Sequence, residues 1–229
     1  MTIENIEYNL KLSDRKTLSL CISKDGMLEV RAPKNLPKST ITDFILRKKE
    51  WILKNTEKMK ARNIKKSEFS LNVGDFLMYK GCEYEILPVN KKTLSFDYKN
   101  FYMPGDVDFK ALKPALIKLY KGLAKEEIFK KVEYYSKIMN LKCTKVKINS
   151  AKTRWGSCSG QNSLNFSWKL ILADEDTINY VVVHELAHTK EHNHSSKFWE
   201  IVAMVFPDYK KYRESLRLLQ NKLVSENWD

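Results

Sequence analysis

Cysteine is scarce in this chain of 229 residues, and its four cysteines stand far apart. No two of them form a Cys-x-x-Cys pair, so the sequence offers neither a disulfide framework nor a zinc knuckle. We therefore expect free thiols in a reducing compartment, with the cytoplasm as the location. The four residues are Cys21, Cys82, Cys143 and Cys158.

Long apolar runs are also missing. No stretch approaches the roughly 20 apolar residues that a membrane-spanning helix needs, so we expect no membrane partner. Residues 1–10 contain acidic and amide side chains and no apolar core, which predicts that they are not a secretory signal. With 43% hydrophobic and 11% aromatic residues, the composition is typical of a globular protein that buries a core.

Acidic residues are outnumbered, and the net charge is +13. Such an excess is typical of nucleic-acid-binding proteins. Here it is spread evenly along the chain, which favours a solvated basic surface instead. One stretch is exceptional, because residues 142–170 hold six basic and no acidic side chains.

The first part of the chain is predicted to be rich in strands, with one helix. Residues 39–61 show apolar side chains at helical spacing, and Asp25-Gly26 is a strong hairpin signal. Pro104-Gly105 is the clearest break, so we place a provisional boundary between residues 1–105 and 106–229, which could still pack as one body. The predicted strand regions are 5–12, 17–31 and 69–103.

The second part alternates helices with short strands, which indicates an α+β fold for the chain. Helical patterns cover 108–140, 175–190, 195–206 and 209–224, and alternating patterns predict strands over 145–149 and 163–172.

All four histidines lie within eleven residues, and residues 184–188 read HELAH, the HExxH pattern. On a helix, positions i and i+4 share one face about 6 Å apart along the axis, so His184 and His188 can bind one metal ion. Glu185 lies beside them, where its carboxylate can accept a proton from a zinc-activated water. The pattern predicts a zinc-dependent hydrolase with Glu185 as the general base.

Such a site needs a third ligand. The metal would lie near the midpoint of His184 and His188, and on a straight helix His192 would start roughly 9 Å further along the axis. His194 can reach the metal if the chain turns back after Glu191, and an unusual backbone conformation at Asn193 would permit that turn. Glu200 is the alternative, as in sites with two histidines and one glutamate. We expect His194 to be the ligand and keep Glu200 as the alternative.

The sequence does not identify the group that stabilises the negative charge developing on the substrate oxygen. Arg154, Tyr180 and Tyr212 are candidates. Arg154 could instead be a structural cation over Trp155, and both tyrosines could belong to the core.

The chain also resembles a known family, the YgjP-like predicted metal-dependent hydrolases, which are related to the SprT-like and WLM zincin proteases. This likeness is dense over residues 150–200 and looser over most of the chain. It implies a C-terminal zincin-like metallopeptidase core, with the hairpin before the metal helix contributing an edge strand over the cleft. It also implies His184, His188 and His194 as ligands and Glu185 as the catalytic residue, but no substrate. The segments that carry it are Arg154-Trp155-Gly156-Ser157-Cys158, Asn165-Phe166, HELAH, Asn193-His194-Ser195 and Phe198-Trp199.

A substrate could bind by adding a strand. If the strand at 163–172 or that at 145–150 edges the cleft, an extended peptide could pair with its main chain. The wall would then be basic and would favour acidic or nucleic-acid-associated substrates, unless these side chains simply face solvent. They are Lys145, Lys147, Lys152, Arg154 and Lys169.

We therefore predict a zinc metallopeptidase that cleaves amide bonds of peptides or proteins. One alternative is a nucleic-acid-associated protein, as the SprT-like relatives suggest. The other is a non-catalytic zinc-binding protein, against which an open coordination position argues.

Overall fold

The structure, a computed structural model, describes residues 1–90, 93–105 and 107–228. The chain forms two compact units, residues 1–69 with 224–228, and residues 70–223. Helices and small mixed sheets build both, so the predicted α+β class is confirmed. No helix of the described ranges is long and apolar enough to cross a bilayer.

The first unit is a four-stranded sheet with two helices. The single predicted helix is in fact two, separated at Lys48. There the Lys48 N–H donates to the Ile45 carbonyl at 3.1 Å, three residues back, which makes a tighter turn than an α-helix. Its strands follow the sheet order β1-β2-β4-β3, and the predicted hairpin is confirmed as β3-β4. The elements are β1 (Thr2–Ile3), β2 (Ile6–Ser13), β3 (Ser19–Ile22), β4 (Leu28–Pro33), α1 (Lys38–Arg47) and α2 (Lys49–Glu68).

The core of this unit follows from two hydrophobic periods. Alternate residues of β4, Leu28, Val30 and Ala32, point to one face and are buried. Ile41 and Ile45, one helical turn apart on α1, are buried in the same cluster.

The second unit begins with another four-stranded sheet, of order β5-β6-β8-β7, followed by the long helix α3. Tyr120 of α3 is fully buried, donates its hydroxyl proton to the Met78 carbonyl at 2.8 Å and stacks on Trp168 at 5.5 Å. Because α3 holds this sheet in the second unit, the predicted boundary at 105/106 falls inside that unit. The elements are β5 (Phe76–Tyr79), β6 (Cys82–Pro88), β7 (Ser95–Phe96), β8 (Phe101–Met103) and α3 (Phe109–Met139).

The rest of the second unit carries the histidines. Three strands of order β10-β11-β9 precede a 3-10 helix and the helices α4, α5 and α6. The predicted strand over 163–172 is wrong beyond Ser167, because residues 168–172 form a 3-10 helix. All five are buried, whereas the residues of a strand with one exposed face would alternate between buried and exposed. The elements are β9 (Lys145–Asn149), β10 (Gly156–Cys158), β11 (Ser163–Ser167), the 3-10 helix (Trp168–Leu172), α4 (Glu175–Ala187), α5 (Ser196–Val205) and α6 (Tyr209–Ser225).

The start of α4 is fixed by a cap and by charge pairs. The carboxylate of Asp174 accepts from the Thr177 N–H at 2.8 Å, which satisfies one of the free donors at the helix start. In the first turn, Glu175 pairs with Lys131 of α3 at 2.8 Å and with Lys80 of the β5–β6 turn at 3.1 Å. The helix that carries HELAH is thereby tied to two other elements of the unit.

Candidate metal centre

Three histidines converge at the end of α4. The side-chain nitrogens of His184, His188 and His194 all lie within 4.8 Å of one another. The Nε2 atoms of His184 and His194 are 3.1 Å apart. Among the described residues, this is the one group of three or more potential metal ligands of this kind. His192 and Glu200 are exposed and are not part of it.

His194 reaches the other two because α4 ends one turn before the predicted position. The helix stops at Ala187, and the Thr189 hydroxyl then donates to the Leu186 carbonyl at 2.7 Å, which competes with continued helix. The predicted unusual backbone at Asn193 is wrong, since its φ is not positive. Its side chain instead accepts from the Ser195 N–H at 3.0 Å.

Two aromatic side chains at the start of α5 hold the imidazoles. Phe198 is fully buried and stacks on His188 at 4.3 Å between ring centroids. Trp199 stacks on His194 at 5.5 Å. The imidazole rings are therefore packed into place by neighbouring side chains.

The donor set fits a zinc ion. Three imidazoles are common ligands of catalytic zinc, whose Zn–N bonds of about 2.0–2.1 Å place the nitrogens of a tetrahedral site about 3.4 Å apart. The 3.1 Å pair is close to that spacing, and the widest separation would have to close by about 1.4 Å. The Nδ1 of His188 is 3.0 Å from the Glu191 carbonyl, the kind of contact that orients a metal-binding ring and leaves Nε2 as donor to the metal. The buried Nδ1 of His184 has no such partner among the described residues.

Glu185 lies next to the histidines in a buried position, with 5% of its surface exposed. The edge strand β10 packs directly against it. A Cβ added to Gly156 would lie 2.5 Å from Cγ and 2.6 Å from Oε1 of Glu185. Position 156 must therefore lack a side chain for the carboxylate to occupy its present place.

Burial sets the ionisation of these groups. It raises the pKa of the Glu185 carboxyl to about 8. Burial also lowers the pKa of His184 to about 3, helped by the nearby His188, His194 and Arg213, and lowers that of His188. Both histidines are thus neutral at pH 7, the form in which imidazole binds a metal.

Among the described strands, β10 pairs with β11 alone and so forms one edge of its sheet. The N–H of Ser167 donates to the Trp155 carbonyl at 2.8 Å, and that of Ser159 to the Ser163 carbonyl at 3.0 Å. Because pairing groups alternate along an antiparallel strand, Gly156 and Cys158 direct their backbone polar groups away from β11. β11 is the central strand of this sheet, so a peptide cannot add to it as the sequence suggested, and the other edge, β9, contacts α3.

A cavity of about 450 Å³ opens beside His184 and Glu185. Two predicted candidates for the stabilising group, Arg154 and Tyr180, line it. Tyr212 does not line this cavity but stacks behind Tyr180 at 5.5 Å between ring centroids.

The basic wall expected from the sequence is largely wrong. Lys169 is 3% exposed within the 3-10 helix, and Lys145 and Lys147 lie on β9, the edge away from α4. Of the five predicted side chains, Arg154 is the one that lines the cavity.

Sequence reasoning assigned no role to Gly156 or Phe198, although both belong to the segments that carry the family likeness. It also missed Arg213, which lines the cavity and lies over the Trp199 ring at 5.7 Å. Arg213 is 29 residues beyond His184, so only the packing of α6 in the second unit reveals that the two share a cavity.

Comparison with known proteins gives a family match and similarity to solved structures. No curated protein matches the chain. Two solved metallopeptidase zymogens are similar to less than half of it. Abylysin of Pyrococcus abyssi is 26% identical with a TM-score of 0.37, over 42% of this chain and 94% of that one. Jannalysin of Methanocaldococcus jannaschii is 23% identical with a TM-score of 0.36, over 42% and 96%.

The family match covers most of the chain. The model of the YgjP-like family, metallopeptidase domain, matches residues 16–218. That span includes the HELAH helix, β10 and the three convergent histidines. The chain therefore belongs to the YgjP-like metallopeptidases, as its resemblance in sequence predicted.

Proposed function

We propose that this protein is a zinc-dependent peptidase in which His184, His188 and His194 hold the metal. The observation that supports this most directly is the convergence of three imidazoles within 4.8 Å beside the buried carboxylate of Glu185. When bound, zinc supplies a Lewis acid that polarises an amide carbonyl and lowers the pKa of water towards 7. Three protein ligands leave one position open, whereas structural zinc sites are usually closed by four.

Glu185 is the general base of this proposal. Its carboxylate takes a proton from the attacking water and returns it to the leaving nitrogen. Burial raises its pKa to about 8, close to the operating pH, which makes the ionised form a stronger proton acceptor. Gly156 lets the carboxylate stay at this place, because the Glu185 side chain fills the volume that a Cβ would take.

The substrate is proposed to bind as an extra strand on the free edge of β10. The outward backbone groups of Gly156 and Cys158 would pair with its main chain, which gives affinity independent of side chains. Pairing there carries the peptide past Glu185, which contacts Gly156. Arg154 and Tyr180 line the adjoining cavity and are the groups that could stabilise negative charge on the substrate oxygen.

The test is a comparison of the parent with Glu185→Gln. Zinc content and the hydrolysis of casein and of a fluorogenic peptide library would be measured side by side. We expect one equivalent of zinc in both and a loss of at least about 100-fold in kcat for the variant, the usual scale of general-base catalysis. Full activity in the variant would refute the role of Glu185, and absence of zinc binding after reconstitution would refute the metal site.

A nucleic-acid-associated role is a second proposal, and helix α2 favours it. This helix carries seven basic and three acidic side chains, and Trp51 on it is 45% exposed. Basic surfaces with exposed aromatic rings suit the phosphates and bases of single strands. Binding to single-stranded DNA would be measured against salt concentration, and a slope below one or two released ions would refute this role.

A further inference from the structure

Among the described residues, the cationic side chains that line the cavity beside Glu185 are all arginines. The chain has 41 basic residues, of which only seven are arginine. All three arginines beyond Arg62, namely Arg154, Arg213 and Arg217, line this cavity, and no lysine does. In a chain so rich in lysine, this concentration indicates a site that needs the planar fork of the guanidinium rather than positive charge alone.

Two of the three guanidinium groups are available to a ligand. Arg217 is held by both carboxylate oxygens of Glu214, at 2.6 and 2.8 Å. Within the described part of the chain, no carboxylate pairs with Arg154 or Arg213, and both side chains are exposed. Glu185 is the one acidic residue among the described residues that line the cavity.

Arg213 is also held in place. Its guanidinium lies over the Trp199 ring, 5.7 Å from the ring centroid, and Trp199 in turn stacks on the imidazole of His194. A guanidinium already held over an aromatic ring loses less freedom when it binds an anion. The positive charge is therefore preset beside the candidate metal centre.

We propose that this cavity binds a carboxylate of the substrate through Arg154 and Arg213. The inference rests on the proposed peptidase function and names its substrate class: peptides that present a carboxylate next to the scissile bond. A guanidinium binds a carboxylate through two parallel hydrogen bonds, which gives geometric selectivity as well as affinity. The carboxylate could be an acidic side chain within the peptide or the free C-terminus of a short peptide.

The experiment measures peptide binding to the zinc-loaded Glu185→Gln protein, which is expected to turn the peptide over at least about 100-fold more slowly than the parent. Trp155 lines the cavity and Trp199 lies beneath Arg213, so intrinsic tryptophan fluorescence reports occupancy. Blocked, amidated peptides would carry one Glu or one Gln at each successive position. A neutral series with a free or an amidated C-terminus distinguishes the two sources of the carboxylate.

We expect at least one Glu peptide, or the free C-terminus, to bind about tenfold or more tightly than its neutral counterpart, the scale of a charge-assisted hydrogen bond. Arg213→Gln and Arg154→Gln should each remove most of that difference between acidic and neutral peptides. Arg213→Lys should restore only part of it, because lysine keeps the charge but not the fork. Lys210→Gln removes an exposed charge from the same helix, outside the cavity, and should change nothing.

Equal affinities for acidic and neutral peptides would overturn the inference while leaving the peptidase proposal intact, provided that the parent cleaves them. An acidic preference that survives Arg213→Gln and Arg154→Gln would also overturn it. If no peptide binds to the variant and the parent cleaves none, the proposed function fails, and the inference fails with it. Far-UV circular dichroism and zinc content of each variant exclude loss of folding as the cause.

Discussion

Replacing Gly156 by alanine is expected to damage catalysis far more than stability. The new Cβ would stand 2.5 Å from Cγ, 2.6 Å from Oε1 and 2.7 Å from Cδ of Glu185. Carbon atoms pack at about 3.5–4.0 Å, so the glutamate side chain would have to retreat by about 1 Å. A displacement of about 1 Å at a catalytic group can reduce the rate by about 100-fold.

The cost in stability should be modest, because the clashing atoms belong to a side chain that can rotate. Overpacking of about 1 kcal/mol would lower the Tm by about 2–4 °C in a chain of this length. We therefore expect kcat to fall by about 100-fold while zinc content is retained. Steady-state kinetics on a cleaved peptide, metal analysis and thermal melting would be carried out on the same preparations.

Gly160→Ala is the matched control. Gly160 lies in the turn that follows β10, in the same β10–β11 hairpin as Gly156, and a Cβ there would meet no atom within 4 Å. It should keep the parental kcat. Parental activity in Gly156→Ala would refute the reasoning, since it would mean that Glu185 does not need the position it occupies in the structure. An equal loss in both variants would point to the β10–β11 hairpin as a whole rather than to the carboxylate.

Three further predictions concern the metal and the charge pairs. If free zinc is present at 100 times its Kd, removing it with a chelator should lower the Tm by about 5–10 °C, and added zinc should restore the Tm. An unchanged Tm would argue against zinc binding to the native state. His194→Ala should reduce the zinc stoichiometry, whereas Glu200→Ala should not, and the opposite result would exchange their roles. The hydrogen bond from Lys131, and after it the one from Lys80, lowers the pKa of Glu175 below its ordinary 4.5. The stability that these bonds add is therefore present above pH 4.5 and is lost as the pH falls through the pKa of the folded state. The Tm advantage of the parent over Glu175→Gln should therefore shrink between about pH 5 and pH 3, and a constant difference would refute the charge pair as its source.

The periodic parts of the fold were predictable from the sequence. Helix α3 presents apolar residues such as Leu112, Leu116 and Tyr120 at intervals of four, and Asp25-Gly26 defines its hairpin, so neighbours in the chain suffice to identify these elements. The break at Lys48 and the end of β11 at Ser167 were missed. In both places the hydrophobic periodicity continues past the change of conformation, which depends on what the segment packs against.

The site divides in the same way. His184 and His188 share one helical face, so their spacing predicts that they converge, while His194 required a turn whose geometry depends on Thr189 and not on the residue that the sequence suggested. The contact of Gly156 with Glu185 and the position of Arg213 depend on how β10 and α6 pack against α4. No local sequence pattern encodes such packing. Of these two residues, Gly156 lies in a segment that resembles the family, whereas nothing in the sequence pointed to Arg213.

The absence of lysine among the described residues lining the cavity has a practical consequence. Reagents that acylate, methylate or cross-link amines would label much of this lysine-rich surface, yet they would find no target on the described walls beside Glu185. The protein could therefore be immobilised or dye-labelled through its amines with its candidate catalytic cavity chemically unaltered. A reagent selective for guanidinium groups, such as a dicarbonyl, would in contrast reach Arg154 and Arg213 directly.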